Sequence, residues 1–127
     1  MSQSLKKSEI LRSKIFIDKL FNSDKFIFKH PFKIFYKEES YESDFPVQML
    51  VSVSKRKHKH AVDRNLIKRR IKESYRKNKE IIYEVLNNKN KKLILSFLYI
   101  STEILEYSEI ESKIILILNQ IRKEYEE

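Results

Sequence analysis

Between Ser8 and Asn22, the apolar positions Ile10, Leu11, Phe16, Ile17, Leu20 and Phe21 recur at mixed three- and four-residue spacing. That pattern predicts a short amphipathic helix with Ser8 as its N-cap. From Lys25 to Lys37 the chain reads "KFIFKHPFKIFYK", rich in aromatic and β-branched residues. This predicts one or two strands, with Pro31 breaking the ladder or sitting at an edge. "KEESYESD" is a polar connector, and "PVQMLVSVS" at 46–54 alternates as a strand does. A helix follows and is expected to run on to Leu86, with "NNKNKK" as the loop after it. "LILSFLYI" at 93–100 has the continuous apolar character and length of a buried strand. The stretch 108–126 predicts a closing helix, with Glu109 and Glu111 in the first turn, where the dipole favours acids.

The predicted order is α-β-β-β-α-β-α, an α+β fold in which three helices pack on one small mixed sheet of about four strands. At 127 residues, with no internal repeat or dividing linker, the chain reads as a single domain over 1–127.

The helix after 60 is two-sided. At about 100° per residue, Ile67, Ile71 and Tyr75 fall within a quarter turn, with Asn78 and Ile82 on the same side. The opposite pole gathers Asn65, Arg69, Lys72 and Arg76, flanked by Lys68. One side is an aliphatic seam to bury; the other is a cationic row left in solvent.

Charge sharpens this picture. The whole chain is +9, yet Lys55–Lys79 alone holds twelve Lys or Arg against Asp63 and Glu73, a net of +10. The rest therefore sums to about −1, and the basicity belongs to one segment. A solvated face laced with ion pairs is the usual reading of a charged helix. It fails here because Glu73 is the only acid after the helix start. Like charges four apart repel, whereas a polyanion converts that repulsion into binding through counterion release. The preceding "SKRKHKH" adds Lys55, Arg56, Lys57 and Lys59 on a loop. Together with the helix N-terminus it makes a phosphate clamp.

Other chemistry is excluded or left without support. With no Cys there are no disulfides, thiol nucleophiles or Cys-held zinc. With no Gly there is no glycine-rich phosphate loop. The N-terminus lacks a signal-peptide core, and the longest apolar run, "IILIL", is too short to span a bilayer. A soluble cytoplasmic protein with no membrane partner is expected.

The segment "SVSKRKHKHAVDRNLIKRRIKESYRKN" resembles the signature of the protein subunit of bacterial ribonuclease P. The match runs through Ser52–Lys55, Ala61–Val62, Arg64–Asn65, Lys68–Arg69, Lys72–Glu73 and Arg76. "LRSKIFIDKLF" is similar to that family's first helix. Leu66 stands where the family often has Arg, Lys72 replaces a frequent Arg, and Ile17 occupies a position often held by Phe.

The resemblance implies a ribosomal-protein-S5-domain-2-like fold with a left-handed βαβ crossover, against the usual right-handed preference. It also implies a protein that binds a large catalytic RNA and helps it remove the 5′ leader from precursor tRNA. The hydrolysis would use Mg2+ held mainly by the RNA. Lys55, Arg56, Lys57, Lys59, Arg64, Asn65, Lys68, Arg69, Lys72 and Arg76 are then expected to contact the RNA subunit. A cleft between sheet and first helix is expected to take the leader, using Phe16, Ile17, Phe21, Phe32, Lys33 and Phe35.

Two rival readings compete. A DNA-binding protein could lay the basic helix in a major groove, but only Asn65 suits base readout, so no DNA is expected. An autonomous metal nuclease would need a ligand cluster, and none of the carboxylates sits with His at metal-ligand spacing. His58 and His60 have cationic neighbours and no orienting group, so they read as neutral RNA contacts on the loop. No catalytic side chain and no protein-held metal are expected.

Overall fold

The computed structural model describes residues 5–23 and 25–126. After a 3-10 turn at Lys7–Glu9, the elements in chain order are α1 (Lys14–Phe21), β1 (Phe26–Lys29), β2 (Phe32–Glu38) and β3 (Val47–Val53). They continue with α2 (Ala61–Asn78), α3 (Glu80–Asn88), β4 (Leu93–Tyr99) and α4 (Tyr107–Tyr125). The four strands form one mixed sheet in the order β1-β2-β4-β3. β1 and β2 are an antiparallel hairpin turned at His30 and a cis Pro31. β2 and β4 are antiparallel, whereas β3 and β4 are parallel. The chain therefore crosses from β3 to β4 through α2 and α3.

Strand alternation divides the sheet into two faces. Ile27, Phe32, Ile34, Tyr36, Val47, Met49, Val51, Val53, Leu93, Leu95, Phe97 and Tyr99 all join one buried cluster. Ile67, Ile71 and Tyr75 of α2, Ile82, Tyr83, Val85 and Leu86 of α3, and five positions of α4 complete it. The aliphatic seam of the basic helix is thus the crossover's inner surface, and Ile71 has no exposed area. On the second face a smaller cluster joins Leu11 and Leu20 to Phe35 and Ile94, with Phe16, Ile17, Leu50 and Leu98 at its margin. α1 covers this face only in part.

Three expectations change. The first helix begins at Lys14, not Ser8, and Ser13 caps it by accepting the Phe16 N–H at 3.2 Å. Upstream, Ile10 bridges Met49 in parallel fashion and the Leu11 N–H donates to the Met49 carbonyl at 2.9 Å. The edge of β3 holds this stretch extended and shields itself in doing so.

The long basic helix ends at Asn78, so the described residues contain four α-helices where three were expected. The break sits at Lys79, whose ammonium is buried against Glu9 at 2.8 Å. Tyr83 donates to the same carboxylate oxygen at 2.5 Å. One carboxylate from the N-terminal turn thereby fastens the α2–α3 junction. Burial, with the neighbouring Tyr75 and Glu9, pushes the Tyr83 phenol far up, so it stays a donor.

Phe32, expected in the leader cleft, belongs to the core. It has no exposed area and packs edge-on against Phe97 and Tyr99. Its parity in β2, opposite to that of Lys33 and Phe35, places it there.

The seam yields a direct test. Ile71→Asp buries a charge without a partner, and such burial costs more than a small domain's whole stability can offset. We expect no cooperative thermal transition by circular dichroism. Val62→Asp, at a position 77% exposed on the same helix, should melt as the parent does.

Candidate nucleic-acid interface

The basic loop is a built structure. Ser54 Oγ accepts from the backbone N–H groups of Arg56 and Lys57 at 3.2 and 3.3 Å, and the His58 N–H donates to the Ser54 carbonyl at 3.0 Å. This tight turn leaves Lys55, Arg56 and Lys59 exposed. Lys57 is also exposed, but its ammonium donates to the Ile100 carbonyl at 2.6 Å.

His58 is not a surface contact. It is 6% exposed, its Nε2 lies 2.8 Å from the Ser101 carbonyl, and its ring sits 5.9 Å from that of Tyr99. That hydrogen bond fixes the ring as a donor at Nε2. The reading of His58 as an RNA contact is corrected: it pins the loop to the end of β4. His60 is exposed just before α2, consistent with a surface role.

Arg64 has a similar bracing role, donating from Nη1 to the carbonyls of His58 and Lys59, each at 2.9 Å. It satisfies loop acceptors while its cationic charge remains at the helix start. Asn65, Arg69 and Lys72 are exposed along the outer stripe of α2, with Lys68 half-buried beside them. Arg76 is engaged by Glu73 through two bonds, Nε–Oε1 at 2.7 Å and Nη2–Oε2 at 2.9 Å. That fork holds the Glu73 carboxyl below its usual range and the guanidinium above its own. With Leu5, these side chains wall an open groove of about 760 Å3. Arg70, by contrast, reaches the Leu105 carbonyl at 2.6 Å and ties α2 to the segment before α4.

The second surface is the open face of the sheet. Strand register lines its side chains in rows across the strands. Phe26, Phe35, Ser96 and Leu50 form one row; Phe28, Lys33, Leu98 and Ser52 form the next. α1 brings Phe16, Ile17 and Leu20 against this face in one cluster with Leu11, Phe35 and Ile94, and Phe21 packs edge-on against Phe35 with ring centres 5.1 Å apart. The Lys33 ammonium lies 4.6 Å from the Phe26 ring centre and 5.1 Å from that of Phe35. Phe16, Ile17, Phe21, Lys33 and Phe35 therefore converge on this face, and Phe32 does not.

Phe26 and Phe28, which interleave with lysines in the sequence but stand outside the expected leader set, are 49% and 62% exposed on the same face. The signal for including them was available. A hairpin at Pro31 pairs Phe28 with Lys33 and Phe26 with Phe35, and directly opposite residues share a face.

Among the described residues, no three His, Cys, Asp or Glu side chains converge where they could hold a metal ion. No helix of the described residues is long and apolar enough to cross a membrane.

A family model described as Ribonuclease P matches residues 5–121. The chain is 32% identical over 107 residues to a ribonuclease P protein component of Porphyromonas gingivalis, covering 84% of this chain and 78% of that one. It is 41% identical over 83 residues to the component of Chlorobium phaeobacteroides, covering 63% and 57% of the two chains. The ribonuclease P protein of Thermotoga maritima superposes with a TM-score of 0.70 at 18% identity, over 88% of this chain and 96% of that one. The Staphylococcus aureus protein does so at 0.67 and 18%, over 94% and 100%. At such identity the solved structures establish a shared fold.

The loop geometry separates the two histidines. His58→Ala removes a buried hydrogen bond and leaves the Ser101 carbonyl without it, which should lower stability by about 1–3 kcal/mol. His60→Ala should stay within about 0.5 kcal/mol of the parent. Urea unfolding of both variants checks the contrast.

Proposed function

This chain belongs to the ribonuclease P protein family, and we propose that its two surfaces divide the work of that enzyme, the basic loop and α2 binding the RNA subunit and the open sheet face binding the 5′ leader. The family's holoenzyme is an RNA-based endoribonuclease acting on precursor tRNA, and this chain is its protein component. One observation carries the assignment of the RNA-subunit surface. The outer side of α2 presents Asn65, Lys68, Arg69, Lys72 and Arg76 with Glu73 as the only acid among them, while the inner side is committed to the core. A helix so arranged meets phosphates along its length.

Lys55, Arg56 and Lys59 extend that surface into the loop, and Lys57 and Arg64 hold the loop in shape while adding charge. The leader reading rests on aromatic rings beside an ammonium, a combination that takes single-stranded RNA by stacking and charge with little regard to sequence. Phe21, Phe35 and Lys33 are its centre, with Phe16 and Ile17 on the α1 side.

The protein's part in the reaction is to bind, neutralise and position. The described carboxylates and histidines do not converge into a donor set that fits Mg2+. In our reading the ions belong with the RNA and supply the activated water there. The cations lower phosphate repulsion between RNA subunit and substrate, and the sheet face fixes the leader relative to the cut. Positioning of this kind is worth several orders of magnitude without any proton transfer by the protein. The chemistry of the open face and the phosphate-like row favour RNA over duplex DNA, and no membrane role is proposed.

Two experiments test this. The first is salt dependence of RNA-subunit binding. Arg69→Ala/Lys72→Ala should flatten the slope of log K against log[salt] by about 1–2. The melting temperature should stay unchanged; an unaltered slope with a lowered melting temperature would make the row structural. The second is single-turnover cleavage of precursor tRNA. The protein alone should cut nothing at any magnesium concentration. Added to a bacterial catalytic RNA, it should restore leader removal at magnesium too low for the RNA by itself. Leader removal by RNA-free protein would overturn the division of labour.

A further inference from the structure

We propose that Phe26 and Phe28 of β1 form a stacking platform for leader bases lying beyond the α1 cleft, so that the leader site reaches the outer edge of the sheet. This rests on the leader reading above. It assigns a role to two rings of β1 that stand outside the expected leader set.

Phe28 is 62% exposed, more than Phe26 or Phe21 on the same face. Its row, Phe28–Lys33–Leu98–Ser52, crosses all four strands and ends two residues before Ser54, where the basic loop begins. Phe26 and Phe28 are two residues apart on one strand, hence about 6.8 Å along it. That is about twice the 3.4 Å rise between stacked nucleotides. An extended strand can therefore offer one base to each ring. Lys33 stands opposite Phe28, with its ammonium resting on the Phe26 and Phe35 rings, where it can meet a phosphate passing between them.

A second copy of this chain fits the patch less well. β1 is a four-residue edge strand flanked by Lys25 and ending at Lys29, and pairing two such edges sets lysines from chains of net charge +9 against one another. A single-stranded polyanion turns the same charges into attraction.

The test uses holoenzyme reconstituted with a bacterial catalytic RNA, and precursor tRNAs whose leaders grow one nucleotide at a time. Phe28→Ala leaves the fold intact because the ring is mostly in solvent. It should weaken binding of long-leader precursor by about fivefold or more. Mature tRNA and short-leader precursor should bind as they do to the parent, and Phe28→Tyr should restore the loss. Phe26→Ala/Phe28→Ala should enlarge it at the same leader length.

Equal losses at every length, or none at any, overturn the platform. So does a change in sedimentation of the free protein without a change in leader binding, which would make the patch a contact between copies. Phe21→Ala separates the two readings. If it discriminates precursor from mature tRNA while Phe28→Ala does not, the platform falls and the cleft stands. If neither discriminates, the leader reading itself falls.

Discussion

Parallel pairing of β3 with β4 is the constraint on which the rest of the molecule depends. Two adjacent parallel strands need a connection that returns the chain to the same end of the sheet, and a tight turn cannot supply it. Here the connection is α2 and α3, packed on the core face. The crossover obliges α2 to bury Ile67, Ile71 and Tyr75, and so it decides which side of the helix remains in water. The cationic row is displayed because the opposite side of the same helix has no other place to go. The loop from Ser54 to His60 is fixed by the same pairing: it leaves β3 beside the end of β4, where Ile100 and Ser101 offer carbonyls to Lys57 and His58.

The electrostatics follow a consistent rule. Several cations of the basic segment are braced by neutral acceptors: Lys57, Arg64 and Arg70 all donate to backbone carbonyls. Such bonds fix geometry without cancelling charge. The fork between Arg76 and Glu73 does cancel charge, and it lies in the fourth and fifth turns of α2, away from the loop. The buried pair of Glu9 and Lys79 has a different character. Burying two charges stabilises little relative to apolar packing, but it demands one arrangement of its partners. With Tyr83 on the same oxygen, it ends the basic helix and anchors the N-terminal turn in one contact.

Much of this was legible in the sequence where a single local pattern governed the outcome. The strand at 47–53 follows from period 2, the seam at Ile67, Ile71 and Tyr75 from period 3.6, and the strand at 93–99 from an unbroken apolar run of strand length, and the structure carries all three. The failures have tertiary causes. Ser8 and Ser13 are equally good caps by type, and only the bridge from Ile10 to Met49 decides between them. Nothing local marks the break at Lys79; the acid that fixes it lies seventy positions away in the chain. Phe32 was misplaced because a ring's face depends on strand parity, and parity was left open until the hairpin register set it. His58 sits among cations in sequence but among Tyr99 and Ser101 in space. For the candidate contacts, residue type singled out a segment, while packing distinguishes the side chains that brace the loop from those left facing outward.

The openness of the sheet's second face has its own physical origin in the length of α1. A helix of eight residues is about 12 Å long. The three strands of seven residues run about 23 Å, and the four-stranded sheet lies about 14 Å across from first strand to last. One such helix cannot roof the face. It is short because the residues before it are held extended along β3, where the Leu11 N–H meets the Met49 carbonyl. Shielding one edge of the sheet therefore leaves part of its outer face uncovered, and the part left bare is the end nearest the basic loop. Aromatic rings there would be a liability on a chain that meets only water. Set between an ammonium and a cationic loop, they suit a partner with flat bases and a charged backbone, and the arrangement that exposes them also fixes their distance from the basic helix.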